Sequence, residues 1–390
     1  MRNVQVAGVS MVKFVKPGKH TAYRKMASHA IREAVSEAGI DPSLIEQAYG
    51  SYVYGDSTCA QHALYDAFMT GIPVVNVNNN CSSGSTAIFL ARQAVQSGAV
   101  ECALAFGFEE MQPGALGSHW DDRESPFMNF LGVLDQMDYP DAPLALRCFG
   151  AAGHHYMAKY GAKADLFAKV AVKTRNHAAL NPNALFTSEL TVEQVMESPV
   201  VYMDFLTKLM CCPPTCGAGA AVICSAEFAK RHGITSGVEI VAQAMATDTP
   251  TSWNCPINLV GADMTRRAAE KVYNEAGIGV EEVDVVELHD CFTTNEVITY
   301  EGLGLCGEGE ATAFVENGDN TYGGKYVVNP SGGLMSKGHP LGATGLAQCY
   351  ELVNQLRHNA GQRQVPNANI ALQHNLGLGG AAVVTMYKTV

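Results

Sequence analysis

Cys81 stands at the seam between two patterns. Gly71-Ile72-Pro73-Val74-Val75-Asn76-Val77-Asn78 precedes it, and Ser82-Ser83-Gly84-Ser85 opens a helix-periodic stretch after it. The β-branched run reads as a short strand entered through a turn. Ala87, Ile88, Ala91, Ala94 and Val95 recur at three- and four-residue spacing, and Ser97-Gly98 closes the helix. A cysteine at a helix start meets unpaired backbone N–H groups and the positive end of the dipole. These are expected to favour its thiolate and to bring its pKa below the usual ~8.5. The small residues Ser82 to Ser85 are expected to admit close approach of a substrate. For an arbitrary cysteine the competing reading is a buried structural thiol.

Two further segments carry reactive side chains to element boundaries. Glu282-Val283-Asp284-Val285-Val286-Glu287-Leu288 reads as a strand that delivers His289-Asp290-Cys291-Phe292 ahead of a helical pattern from Asn295 to Leu303. Asn329-Pro330-Ser331-Gly332-Gly333 and Lys337-Gly338-His339-Pro340-Leu341-Gly342-Ala343-Thr344-Gly345 form a glycine-rich approach to a third helix, with Pro340 suited to its first turn. One histidine alone is more often a core or surface residue. Two cysteines and two histidines at three such boundaries point to a nucleophile with acid–base partners.

Cys81-Ser82-Ser83-Gly84, His289-Asp290-Cys291-Phe292 and Gly338-His339-Pro340 resemble the three active-site motifs of thiolases. The H-D-C-F element, with Gln373-His374-Asn375-Leu376-Gly377-Leu378-Gly379-Gly380, is similar to the thiolase domain of the sterol carrier protein X branch and its bacterial relatives, often labelled lipid-transfer proteins. The likeness runs nearly end to end, from Val12-Lys13-Phe14 through Gly55-Asp56-Ser57-Thr58-Cys59 to Val383-Val384-Thr385.

The resemblance implies thiolysis of a 3-oxoacyl-CoA, with coenzyme A as co-substrate and no covalently bound cofactor. Cys81 would carry the acyl group after passing its proton to His339, and His289 and His339 would hold the enolate oxygen. Cys291 would protonate the enolate carbon, and the backbone N–H groups of Cys81 and of Leu376-Gly377 would form a second oxyanion hole. Ordinary thiolases place their second cysteine in a C-terminal C-x-G-G-type loop; His374 stands near that place here, and the branch implies that Cys291 takes over. His374 either lines the site or fills the space of the missing cysteine, and Asp290 either orients neighbours or is structural. The resemblance also implies a homodimer through the strand near Val74 to Asn78. Two other readings are a thiolase-fold aldolase of steroid side-chain degradation, against which the retained Cys81 counts, and a non-enzymatic lipid or acyl-CoA carrier, which leaves the paired Cys and His motifs without a purpose.

The chain carries an internal repeat. Met26 to Ile40 parallels Met264 to Ile278 at an offset of 238 residues (264 − 26). Gly219-Ala220-Ala221-Val222-Ile223 and Gly380-Ala381-Ala382-Val383-Val384 repeat at 161 (380 − 219), so the first half holds an insertion of 77 residues (238 − 161) between matching elements. Alternating strands and helices in two like halves imply an α/β fold, sharpened by the resemblance to a duplicated five-layered αβαβα thiolase core with an inserted loop domain. The expected organisation is a first half at residues 1–108 and 217–236, an inserted substrate-binding lobe at 109–216, and a second half at 237–390.

A net charge of −12 offers no general attraction for nucleic acid or anionic membrane. The CoA phosphates would need a local basic site, for which Arg147, Lys159, Lys163, Lys169, Lys173 and Arg175 are available. Twelve cysteines without a signal-peptide pattern indicate a reducing compartment, and the expected location is a bacterial cytoplasm. A peroxisomal location would require a targeting signal other than the final Lys388-Thr389-Val390. Cys211-Cys212-Pro213-Pro214-Thr215-Cys216 lacks a second ligand cluster at zinc spacing, so no metal is expected. No run of about twenty apolar residues predicts membrane insertion.

Overall fold

The sequence repeat becomes a pair of equivalent helices, each ended by a left-handed glycine, Gly39 and Gly277. The computed structural model describes residues 2–113, 117, 120–235 and 237–390. Residues 114–116, 118 and 119 of the expected insertion, and the boundary at 236, lie outside the described residues.

The first half runs β1 (Val4–Met11), α1 (Tyr23–Ala38), β2 (Gln47–Ser51), α2 (Cys59–Tyr65), β3 (Val74–Val77), α3 (Ser83–Gln96) and β4 (Cys102–Glu109). An excursion follows through α4 (Met128–Gln136), α5 (Leu144–Tyr160), α6 (Ala164–Ala178), α7 (Val192–Met196) and the hairpin of β5 (Val200–Tyr202) with β6 (Leu206–Thr207). The chain then returns as β7 (Gly217–Ser225) and α8 (Ala226–Arg231). The second half begins with β8 (Val238–Ala246), α9 (Pro256–Leu259), α10 (Ala262–Ala276), β9 (Val285–Glu287) and α11 (Thr293–Gly302). It ends with α12 (Ala311–Glu316), β10 (Val327–Val328), α13 (Thr344–Leu356), β11 (Ile370–Gly377) and β12 (Ala381–Thr389).

Ten strands form one sheet in the order β10-β9-β11-β12-β8-β1-β7-β4-β2-β3. Outward from the central β1/β8 pair, the two sides match. β7 lies antiparallel between β1 and β4, as β12 does between β8 and β11. β2 runs parallel to β4 and β3, as β9 does to β11 and β10. Alternate residues of β7 face different cores: Ala220 and Val222 join the cluster of α1, whereas Ala221 and Ile223 join that of α3 and α13. Helix α10 covers β8 and β12 as α1 covers β1 and β7, while α3 and α13 pack on each other and reach strands of both halves. The layers are therefore helix, half-sheet, central helix pair, half-sheet, helix.

The central position of α3 explains its composition: of its fourteen residues only Gln93 is exposed, so the helix needs little polar face. Gly84 has no room for a side chain: a Cβ would meet the backbone of Gly342 and Gly345, and one on Gly345 would meet Ser85. This glycine contact draws the starts of α3 and α13 together, and with them the loops that carry Cys81 and His339.

Two boundaries differ from the sequence expectation. Val280–Glu282 forms a tight 3-10 turn, which delays the strand before His289 to Val285. Pro340 lies ahead of α13 rather than in its first turn; its carbonyl accepts from Ala343 N and Thr344 N at 2.9 and 3.0 Å and so starts the helix.

Candidate active site

Local hydrogen bonds make the turn that presents Cys81. Asn80 adopts φ +51°, a left-handed conformation that asparagine tolerates better than most residues, and its side-chain amide donates to Leu378 O at 3.1 Å. Ser82 Oγ donates to Asn79 O at 2.8 Å, and Ser83 Oγ accepts from Asn79 N while donating to Asn80 O. Ser82, Ser83 and Ser85 are fully buried. Ser82 and Ser83 are thus spent on holding the turn, while Ser85 Oγ reaches Asn375 Oδ1 at 2.9 Å.

The thiolate expectation for Cys81 needs correction. Burial pushes its thiol up to about 12, and the charge of nearby Glu109 pushes the same way. Helix α3 begins at Ser83, two residues beyond the cysteine, so the dipole acts at a distance while desolvation acts directly. At rest Cys81 is a neutral thiol, whose proton a base would have to take before the sulfur could act as a nucleophile.

His339 can take that proton. Its Nδ1 lies 2.7 Å from Thr344 Oγ1, whose own proton goes to Pro340 O at 3.0 Å, so the hydroxyl oxygen accepts and Nδ1 carries the hydrogen. Nε2 is left with a bare lone pair, buried and, among the described residues, without a hydrogen-bond partner. Burial lowers the imidazole to about 3, so His339 is neutral at rest. Its backbone N–H donates to Thr215 Oγ1 at 2.6 Å, which fixes the loop.

His289 packs edge-on against His339 with ring centroids 5.0 Å apart. Donor atoms of Cys81, His289 and His339 lie within 4.8 Å of one another. Three sequence motifs spread from residue 81 to residue 339 therefore converge on one buried cluster. Burial holds His289 well below its ordinary pKa.

Cys291 is buried beside this cluster, and desolvation raises its thiol well above the ordinary value. The Cys211-to-Cys216 segment, which the sequence marks only as a poor zinc candidate, bounds this side. Cys212 N donates to Cys291 O at 2.9 Å, and isolated bridges join Cys211 to Phe292 and Pro214 to His339. The contribution of Thr215 and Cys212 was not readable from the sequence, because neither lies in a recognisable motif.

Asp290 turns away from the pocket. Its carboxylate accepts from Leu334 N at 2.7 Å and Met335 N at 3.4 Å, tethering the Gly333–Lys337 turn, and burial together with the Glu296 charge pushes it up to about 8. His374 is fully buried, with Nδ1 accepting from His289 N at 3.4 Å and Nε2 against Thr265 Oγ1 at 2.9 Å. Both ring nitrogens are occupied by protein, so it fills space behind His289. The end of β11 reaches the nucleophile turn: a Cβ on Gly377 would collide with Asn79 O and approach Ser82 Oγ. The Leu376 side chain lies instead against Gly261.

The basic residues named for the CoA phosphates are largely engaged elsewhere. Arg147 pairs with Asp135, Lys159 with Glu308, Lys169 with Asp165 and Glu316, and Lys173 with the buried Glu296. Arg175 binds Ser336 Oγ and Ser188 O at 3.1 and 3.4 Å. Lys163 is exposed.

A buried thiol, a bare imidazole nitrogen and a second thiol at the ends of duplicated β/α units define an enzyme of covalent acyl transfer. The chain matches "Thiolase, N-terminal domain" over residues 4–205 and "Thiolase C-terminal domain-like" over 249–388, and it belongs to the thiolase family, whose members are acyltransferases. It is 54% identical to "Sterol carrier protein 2" of Oryctolagus cuniculus over 99% of this chain and 72% of that protein. It is 36% identical to "Benzoylsuccinyl-CoA thiolase subunit BbsB" of Thauera aromatica over 97% of this chain and 95% of the relative. Its fold is that of the "Ltp2-ChsH2(DUF35) aldolase" structure, with a TM-score of 0.83, 22% identity and coverage of 99% and 98%. Human mitochondrial 3-ketoacyl-CoA thiolase in complex with CoA superposes with a TM-score of 0.75 at 18% identity, covering 100% and 98%. Among the described residues no helix is long and apolar enough to cross a membrane.

Proposed function

We propose that the protein cleaves 3-oxoacyl-CoA with coenzyme A through an acyl group on Cys81. The observation that carries this reading is the convergence of Cys81, His289 and His339 donor atoms within 4.8 Å, with His339 Nε2 unpartnered among the described residues. In the first half-reaction His339 Nε2 takes the Cys81 proton as sulfur attacks the substrate carbonyl. The carbon–carbon bond breaks, the acyl group stays on sulfur, and the departing enolate is held by His289 and by protonated His339. Cys291 then gives its proton to the enolate carbon. In the second half-reaction the Cys291 thiolate takes the proton of a CoA thiol, whose sulfur attacks the thioester; the shortened acyl-CoA leaves and the Cys81 sulfur recovers its proton from His339. The backbone N–H groups of Cys81 and the Leu376-Gly377 strand end are assigned to the thioester oxyanion; the packing of Gly377 on the Cys81 turn supports this.

The raised thiol pKa values fit the scheme, because a neutral pair avoids burying two charges before substrate arrives. Residues 109–216 are assigned as a lobe that covers the pocket and bounds the acyl site. The name carried by the Thauera relative and the CoA in the human structure support a CoA-thioester substrate. Participation in fatty-acid β-oxidation follows if that substrate is a fatty acyl chain.

A homodimer is assigned through β3, which among the described residues pairs only with β2 and leaves Val75 38% exposed at the sheet edge. Incubation with a panel of 3-oxoacyl-CoAs plus free CoA tests the activity. Two shorter acyl-CoAs are expected, and a panel that yields none, with the acyl-CoAs recovered intact, overturns the reading.

A further inference from the structure

A chain of buried side chains behind His289 fixes which of its ring nitrogens carries the proton. The inference rests on the thiolase reading above and extends it to residues that touch neither substrate nor nucleophile. It begins at a group whose role cannot reverse. The Gly345 carbonyl only accepts, so the side-chain atom 2.7 Å from it is the donating Nε2 of Gln373. The same amide's oxygen accepts from the Tyr387 hydroxyl at 2.6 Å. For the other hydrogen of Gln373 Nε2, Ser85 Oγ at 2.8 Å is much nearer than Gln348 Oε1 at 3.3 Å, and Ser85 gives its own proton to Asn375 Oδ1 at 2.9 Å. The Asn375 amide is thereby oriented with Nδ2 toward His289 Nδ1, 3.0 Å away. An amide N–H needs a lone pair opposite it, so Nδ1 is bare and the proton of neutral His289 sits on Nε2. Tyr387, Gln373, Ser85 and Asn375 are all fully buried, so bulk solvent does not compete for the bonds of the chain.

We propose that Asn375, oriented by Ser85, is a positioning residue that locks His289 as an N–H donor toward the pocket, in the tautomer opposite to that of His339. One imidazole then offers a hydrogen bond to the departing enolate while its neighbour offers a base to Cys81. His289 cannot act as the base without breaking its bond to Asn375, whereas His339 becomes a donor only after it has taken the Cys81 proton. The lock also bears on the Cys81, His289 and His339 grouping as a cation site. A metal-bound histidine gives its remote N–H to an acceptor, whereas His289 meets a donor there and has no lone pair left for a metal. The grouping therefore supplies two ligands, fewer than a structural or catalytic zinc site requires.

The test uses the whole enzyme with ¹⁵N-labelled histidine, and its first arm needs no substrate. Nitrogen shifts, with His289 assigned by comparison with His289→Ala, are expected to show a protonated, pyrrole-type Nε2 and a pyridine-type Nδ1. The reverse pattern overturns the proposal whether or not the enzyme proves to be a thiolase. In the second arm, Asn375→Asp replaces the donor with an acceptor and draws a proton to Nδ1. His289 Nε2 then carries hydrogen only while the ring is an imidazolium. Cleavage by this variant is expected to fall as pH rises, reaching a kcat loss of about 10²–10³ for a lost oxyanion donor, with KM little changed. Acyl exchange from a simple acyl-CoA onto Cys81 should survive. An Asn375→Asp enzyme with the wild-type pH profile overturns the proposal. If that variant does not fold, Ser85→Ala frees the Asn375 amide to rotate. It is expected to give mixed His289 tautomers, and a spectrum identical to wild type counts against the lock.

Discussion

Thr344→Val removes one oxygen from behind the proposed base while keeping the shape of the side chain. In the wild type, His339 Nδ1–H donates to Thr344 Oγ1 at 2.7 Å, which leaves Nε2 bare and aimed at the pocket. Valine offers no acceptor, and the imidazole is fully buried, so an Nδ1–H there would be an unsatisfied buried donor. Losing the bond to Thr344 removes about 1–3 kcal/mol of the preference for the Nδ1–H tautomer over the Nε2–H one, whose N–H has the same surroundings with or without that hydroxyl. At about 1.4 kcal/mol per factor of ten, the base-competent tautomer is depleted roughly 5- to 150-fold. Stopped-flow or quenched measurement of Cys81 acylation by a simple acyl-CoA reads this directly, because the step needs His339 but not enolate protonation. The expected result is a fall in acylation rate of that size, with substrate KM changed far less. Thr344→Ser restores the hydroxyl and should recover most of the rate. A Thr344→Val enzyme that acylates at the wild-type rate refutes the assignment of His339 Nε2 as the base.

Cys291→Ala should still accept an acyl group on Cys81 but lose carbon–carbon cleavage by about 10²–10⁴, measured as product release from a 3-oxoacyl-CoA. Cleavage at the wild-type rate would place the proton donor elsewhere. Because burial raises Cys81, the thiolate absorbance difference between wild type and Cys81→Ala should stay flat from about pH 5 to about pH 9; a midpoint below the ordinary ~8.5 would restore the helix-dipole account. With His339 lowered to about 3, the acylation rate should show no acid limb near the ordinary imidazole value of about 6.5. Light scattering should find a dimer at micromolar concentration that Val75→Lys weakens, and a wild-type monomer would remove β3 as an interface.

The parts of this molecule legible in the sequence are those written in local pattern. The repeat Met26–Ile40 and Met264–Ile278 became α1 and α10 with their glycine ends, and the second echo became β7 and β12, equivalent strands of the two half-sheets. Cys81, His289, Cys291 and His339 were marked by motifs at element boundaries, and the fold brings them together. What the sequence misjudged was environment. Helix position alone predicts a thiolate at Cys81, but desolvation in the layer between the half-sheets outweighs a dipole two residues away. Small residues such as Ser82 to Ser85 serve equally well for close approach of a substrate and for tight packing, and the α3/α13 contact at Gly84 and Gly345 shows the second. The basic residues of the insertion read as free because their carboxylate partners, such as Glu296 and Glu308, lie more than a hundred positions away. Thr215, Thr344 and Asn375 act through single hydrogen bonds to histidines distant in sequence or one turn ahead, and such bonds have no periodicity to detect.

The central claim is that the acyl group passes through Cys81, and intact-mass analysis of the enzyme after brief exposure to a 3-oxoacyl-CoA without free CoA tests it most directly. The wild type should gain the mass of the shortened acyl group, located to the peptide containing Cys81 and removed on addition of CoA, while Cys81→Ala should gain nothing. An adduct of the same yield on Cys81→Ala, or one located at Cys291 or Cys212 instead, would contradict the account.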